Sequence, residues 1–252
     1  MELKQFLNHN GHYFETDQPL LTVNNRAFCY GDSLFETLRF TNFKTQFLQD
    51  HLQRLFNGMT ILKMHIPEQF TETFFDESIS KLAKKNGITS DGRIKITIYR
   101  NQGGLYAPDD NTISYLMECS PLEENGYTLN FKGYTVDLYS DLKKSQSVLS
   151  SIKSGNSAIY VMAGIHKNIN FLDECILMNE KGNITEAISS NIFAVKNGVL
   201  YTPPIADGCI NGVMRKKIIE IAKVNIENFF NQSSIESEMK DWGINSYEIS
   251  VE

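Results

Sequence analysis

Arg93-Ile94-Lys95-Ile96-Thr97-Ile98-Tyr99 places an apolar residue at every second position, the pattern of a strand with one buried face. Residues 114–119 form its expected neighbour. Ser33-Leu34-Phe35-Glu36-Thr37-Leu38-Arg39-Phe40 is a further alternating run, with Gln46-Phe47-Leu48 as its hairpin partner across Asn42-Phe43-Lys44. Two helical patterns lie between these strands. Asp50 is expected to cap the first, whose Leu52, Leu55, Phe56, Met59 and Leu62 recur at helical spacing. The second covers about 69–85 and stops at Asn86-Gly87, a left-handed cap signal. Shorter strands are expected around Tyr13-Phe14 and over 20–23.

The polar stretch from Pro121 through Asn125-Gly126 is the expected domain boundary. The chain then reads as a small N-terminal mixed α/β domain, 1–121, and a larger C-terminal domain, 122–252. In the second half, strands are expected over 127–131, 134–139, 174–179, 191–196 and 199–201. Turns fall at 179–183 and Asn197-Gly198, and helices over 157–165 and 212–223. No internal repeat and no low-complexity stretch is visible.

The chain has 252 residues, 41% of them apolar and 11% aromatic, which excludes a disordered chain. A formal charge of -6 argues against a broad nucleic-acid or anionic-lipid surface. No apolar run approaches the roughly 18 residues of a membrane helix, and residues 1–10 lack the apolar core of a signal peptide. The four cysteines (Cys29, Cys119, Cys175, Cys209) contain no C-x-x-C pair, which reads as reduced thiols in a cytoplasmic protein. His9, His12, His51, His65 and His166 show no metal-ligand spacing, and His9 and His12 are placed in a ragged N-terminus.

Three segments carry chemistry only in combination. Lys153, in Ser151-Ile152-Lys153-Ser154-Gly155-Asn156, is either a solvated loop residue or a Schiff-base lysine. In Gly208-Cys209-Ile210-Asn211-Gly212-Val213-Met214-Arg215, Gly212 opens a helix whose Val213 and Met214 amides can face an anion. Glu186 suits either an exposed loop or a buried partner for a protonated ring nitrogen. Amine, anion site and carboxylate are together the attachment points of pyridoxal 5'-phosphate.

The order of the motifs resembles the class IV aminotransferases, the fold-type IV pyridoxal-phosphate enzymes. Arg26-Ala27-Phe28-Cys29-Tyr30-Gly31-Asp32-Ser33-Leu34-Phe35-Glu36-Thr37 is similar to R-x-x-x-Y-G-D-G-x-F-E-T, and His51-Leu52-Gln53-Arg54-Leu55 to H-x-x-R-L. Lys153 to Asn156 matches K-x-x-N, and Glu186 to Phe193 is similar to E-x-x-x-S-N-[IV]-F. Tyr201-Thr202-Pro203-Pro204 and Gly208 to Arg215 complete the series. The resemblance implies a two-domain α/β (α+β) fold whose C-terminal domain is built on a β-barrel-like sheet with helices. It also implies Lys153 as catalytic residue. Arg54, Lys153, Glu186, Ser190, Asn191, Gly212, Val213 and Met214 would bind cofactor, and Phe35, Thr37, Tyr99, Leu105 and Tyr106 substrate. The implied partners are an amino acid, a 2-oxo acid and a second copy of the chain, with loop 101–110 reaching the neighbour's site.

Two departures stand out. Met214 occupies a place where the family presents Thr or Ser, so backbone amides must carry more of the phosphate. Residues 246–252 correspond to the family's acidic strand after the last helix, so a second polar phosphate loop is expected to be missing. The motif details divide between transaminases and aminodeoxychorismate lyases. The readings left standing are an aminotransferase, a lyase releasing pyruvate, and a non-catalytic member acting as a binding protein.

Overall fold

The computed structural model describes residues 5–123, 127, 130–196 and 199–229. The chain divides into two units, Met1–Lys132 with Ile152–Ser157, and Gly133–Ser151 with Ala158–Glu252. The sequence expectation put the boundary at 121 and kept 152–157 with the C-terminal half. In the structure that hexapeptide, which contains Lys153, belongs to the first unit.

The first unit is an antiparallel six-stranded sheet with helices on one face. Its strands are β1 (Phe6–His9), β2 (His12–Glu15), β3 (Ser33–Thr41), β4 (Lys44–Thr45), β5 (Asp91–Arg100) and β6 (Ile113–Pro121), in the order β2-β1-β6-β5-β3-β4. Helix α1 is Arg26–Tyr30, α2 Leu48–Ile61 and α3 Glu72–Lys85. The period-2 pattern of β5 buries Ile94, Ile96 and Ile98 completely. They pack with Leu34 and Leu38 of β3, Leu52, Leu55 and Met59 of α2, and Phe75, Ile79 and Leu82 of α3. Each such side chain contributes about 1.5–3 kcal/mol relative to exposure. The opposite face of the sheet carries Phe35, Thr37 and Arg39, with Thr97, Lys95 and Arg93 beside them in register.

Several expectations are corrected. His9 and His12 do not lie in a ragged segment, because β1 and β2 form a hairpin across Asn10-Gly11 with φ 51 and 88, putting His9 opposite His12. Residues 20–23 form no strand; Leu21 and Val23 are exposed, and the Thr22 carbonyl accepts the Asn25 amide in a turn. The hairpin partner of β3 is only Lys44–Thr45, because Phe47 turns left-handed (φ 52) and itself caps α2. Asp50 is therefore a first-turn residue near the positive helix end, not the cap. Helix α3 starts at Glu72, where the Thr71 hydroxyl caps the Phe74 amide.

The second unit contains β7 (Val136–Lys144), α4 (Ala158–Ile169), β8 (Glu174–Asn179), β9 (Ile184–Ala187), β10 (Ala194–Lys196), β11 (Val199–Tyr201) and α5 (Val213–Phe229). Strand β8 pairs parallel with β7 and antiparallel with β9. Strands β10 and β11 form a separate antiparallel ribbon. Among the described residues the strands of this unit form a three-stranded sheet, β7-β8-β9, and the two-stranded ribbon. The larger buried core lies in the first unit; the second is centred on Tyr139, Ala163, Cys175 and Leu177. Strand β7 begins two residues later than expected and runs on to Lys144, with a register shift after Tyr139. In the expected strand 127–131, residues 128–129 lie outside the described set, and Phe131-Lys132 is a turn. Asn197-Gly198 and residues 246–252 also lie outside it. No helix among the described residues is long and apolar enough to cross a membrane.

Candidate active site

In the first unit, the Lys153 stretch is zipped onto the start of β3. The Phe35 amide donates to the Lys153 carbonyl at 2.9 Å, and the Gly155 amide donates to the Ser33 carbonyl at 2.9 Å. This close approach needs glycine on both sides. A Cβ on Gly155 would collide with the Ser33 hydroxyl, and one on Gly31 (φ 65) would stand 2.6 Å from Asn156 Oδ1. The two motifs, more than a hundred residues apart, are thus halves of one fit. The half-buried Lys153 ammonium lies 4.6 Å from the centroid of the Phe35 ring. Thr37 follows on the same face.

Arg54 is placed differently. It comes from α2 on the helix-covered side of the sheet, where Glu36 sits 1% exposed between Leu34 and Leu38. Arg54 Nε donates to Glu36 Oε1 at 2.8 Å and Nη2 to Oε2 at 2.5 Å, while His51 Nδ1 meets Oε2 at 2.7 Å. Burial raises the Glu36 pKa, but the hydrogen bonds and charges of Arg54 and His51 outweigh it and hold the carboxyl below its ordinary value. Tyr99 is nearly buried, with its hydroxyl 2.6 Å from His9 Nε2.

Loop 101–110 is pinned to its own unit. Arg26 Nη1 donates to the Gly103 and Leu105 carbonyls at 2.9 and 2.6 Å. Asp32 Oδ2 accepts from both Arg26 Nε and Arg100 Nε at 2.9 Å. The side chains of Leu105 and Tyr106 nevertheless stand 75% and 90% exposed.

In the second unit, Glu186 is not in a loop. It lies in β9, 3% exposed. The Ile210 amide donates to its Oε2 at 2.8 Å, and the Tyr160 hydroxyl donates to Oε1 at 2.7 Å. Lys144 forms a buried ion pair with Oε1. Asn191 Nδ2 donates to the Ile210 carbonyl at 2.9 Å, so Ile210 is held through both its amide and its carbonyl. A Cβ on Gly212 would collide with Asn191 Oδ1, which explains the glycine. The clamp leads directly into α5, whose N-terminal amides form the positive end of a helix dipole. Val213 is buried and Met214 half-exposed. The exposed Ser190 contributes through its carbonyl, which accepts the Ala187 amide at 2.8 Å.

Lys144, Tyr160 and the Ile210 amide were not legible as site groups. Lys144 falls in a polar run, and Tyr160 sits among the apolar residues of α4. Burial and then the Glu186 charge push the Tyr160 phenol far up, so it remains a donor. Each unit by itself carries groups whose chemistry suits a part of pyridoxal phosphate. A half-buried amine is present in the first unit. In the second, a buried carboxylate is tied three residues ahead of an anion-ready helix start.

A family model described as amino-transferase class IV matches residues 33–246. The chain belongs to the class IV aminotransferases. A D-alanine aminotransferase of Listeria monocytogenes is 26% identical, over 86% of this chain and 74% of its own length. An aminodeoxychorismate lyase of Bacillus subtilis is 28% identical, over 85% and 72%. The fold is that of the branched-chain amino acid aminotransferase from Thermobaculum terrenum solved in its PLP form, with TM-score 0.73 at 21% identity, covering 88% of this chain and 74% of that one. This chain is an enzyme of class IV, and these relatives lend no support to the non-catalytic alternative.

Proposed function

We propose that this class IV enzyme is a pyridoxal-phosphate-dependent aminotransferase that exchanges an amino group between an amino acid and a 2-oxo acid. The observation that carries the reading is the Glu186–Ile210 clamp, which ties a buried carboxylate to the start of α5. When bound, the cofactor supplies a protonated pyridine ring that draws electrons from the substrate's α-carbon. Lys153 would attach it through Nζ, and after release that Nζ would take the α-proton and return it. Glu186 would hold the ring-nitrogen proton. The Val213 and Met214 amides, with Gly212, Ser190 and Asn191 beside them, would hold the phosphate, and Arg54, oriented by Glu36, would add a cationic partner. Phe35, Thr37, Tyr99, Leu105 and Tyr106 would line the substrate side.

The exposed Leu105 and Tyr106 on a pinned backbone support a homodimer in which a second chain covers them. Four separated thiols support a reducing, cytoplasmic location. The second reading, a lyase releasing pyruvate, is favoured by the Bacillus subtilis relative. Cofactor-loaded protein should be incubated with a panel of amino acids, with and without 2-oxoglutarate. Keto-acid formation that depends on 2-oxoglutarate is expected; pyruvate release without an acceptor would favour the lyase. Lys153→Ala should abolish borohydride trapping of the cofactor, and persistent labelling would mean another lysine is used.

A further inference from the structure

Lys144 reaches Glu186 because β7 shifts register after Tyr139 and pairs Lys144 with Asn179 of β8. The two side chains are 7% and 4% exposed. All three ammonium hydrogens have acceptors within reach, namely Glu186 Oε1, the Tyr160 hydroxyl at 2.9 Å and the Ser150 carbonyl at 3.5 Å. A buried ion pair is seldom the most stabilising choice for a core, since apolar residues of similar volume do as well or better. The two oxygens of Glu186 are also unequal. Oε1 takes both Lys144 and Tyr160, whereas Oε2 takes, among the described residues, only the Ile210 amide. Among the described residues, Cys209 is a further titratable group beside this cluster, and Arg215 in turn acts on Cys209. Cys209 is a buried thiol raised chiefly by desolvation, and Arg215 donates to the Pro203 carbonyl.

We propose that Lys144 is the resident counter-charge of Glu186, locking Oε1 so that Oε2 is the working oxygen, and that it limits how strongly Glu186 holds a proton on a ring nitrogen presented to it. This rests on reading Glu186 as the ring-nitrogen partner. A neutralised carboxylate attracts a proton less than a lone one, so Lys144 sets the electron demand of the site without touching substrate. It is a positioning residue.

The test is the pH titration of the visible absorbance band of pyridoxal phosphate bound to the full chain. Lys144→Met removes a nearby cation, so the midpoint should rise by about one pH unit, a tenfold gain in proton affinity. Lys144→Arg should restore the wild-type midpoint, and Lys144→Met with Glu186→Gln should cancel most of the shift. Tyr160→Phe removes the second donor to Oε1 and should move the midpoint the same way by less, which covers the case that Lys144→Met does not fold. A wild-type band whose midpoint is unmoved in Lys144→Met, or in Tyr160→Phe where the former does not fold, overturns the proposal alone. A wild-type chain that binds no cofactor overturns the cofactor reading and the proposal with it.

Discussion

Glu36 in the first unit and Glu186 in the second are both buried carboxylates on strands, and the two are finished differently. Glu36 meets two side chains from one helix, His51 and Arg54, spaced so that both project from the same face. Both of its oxygens are bonded to Arg54, and one also to His51. Glu186 meets one cation, one phenol and one peptide amide from three separate segments. The first arrangement closes a carboxylate into the architecture. The second gathers three separate segments of chain around one. Burial and the number of bonds are alike in the two acids; the origin of the donors is what differs.

The comparison breaks most directly by truncating each acid. Glu36→Ala leaves a buried Arg54 and His51 uncompensated and should cost about 3–5 kcal/mol of folding stability, measured by urea titration. Glu186→Gln should lose less stability but drop turnover by about 10²–10³, as expected when an electrostatic partner of the reacting system is removed. Equal losses of stability in the two variants, with turnover per folded molecule intact, would erase the distinction.

Acid titration sharpens it further. The folded Glu36 pKa lies below its ordinary value of 4.5. Its contribution is therefore fully present above that value and lost as pH falls through the lower folded value, because the unfolded chain there binds more protons. Stability measured downward from about pH 5 should fall, and Glu36→Gln should flatten that limb. An unchanged slope would detach Glu36 from acid unfolding.

The smallest effect concerns the anion end of the second unit. Met214 is 42% exposed, so Met214→Thr should leave stability within about 0.5 kcal/mol. A hydroxyl there adds a donor for the phosphate, and cofactor affinity should rise about two- to tenfold by equilibrium titration. No change would mean that the amides of α5 already satisfy the anion.

Strand β5, its neighbours β3 and β6, and helices α2 to α4 were determined by the sequence itself, because a period of 2 or 3.6 is set by nearby residues and survives any tertiary context. The order of the motifs was equally local, and it named Lys153, Glu186 and the start of α5. Tertiary structure decided the rest. Within β3, the polar Glu36 looks like a solvent-face residue until α2 brings Arg54 and His51 onto it. Gly155 reads as a loop glycine until Ser33 is packed against it. Lys144 and Glu186 are 42 residues apart, and nothing in either segment announces the other. A buried charge is tolerated only where its partner arrives, and that arrival depends on chain segments distant in sequence being folded together.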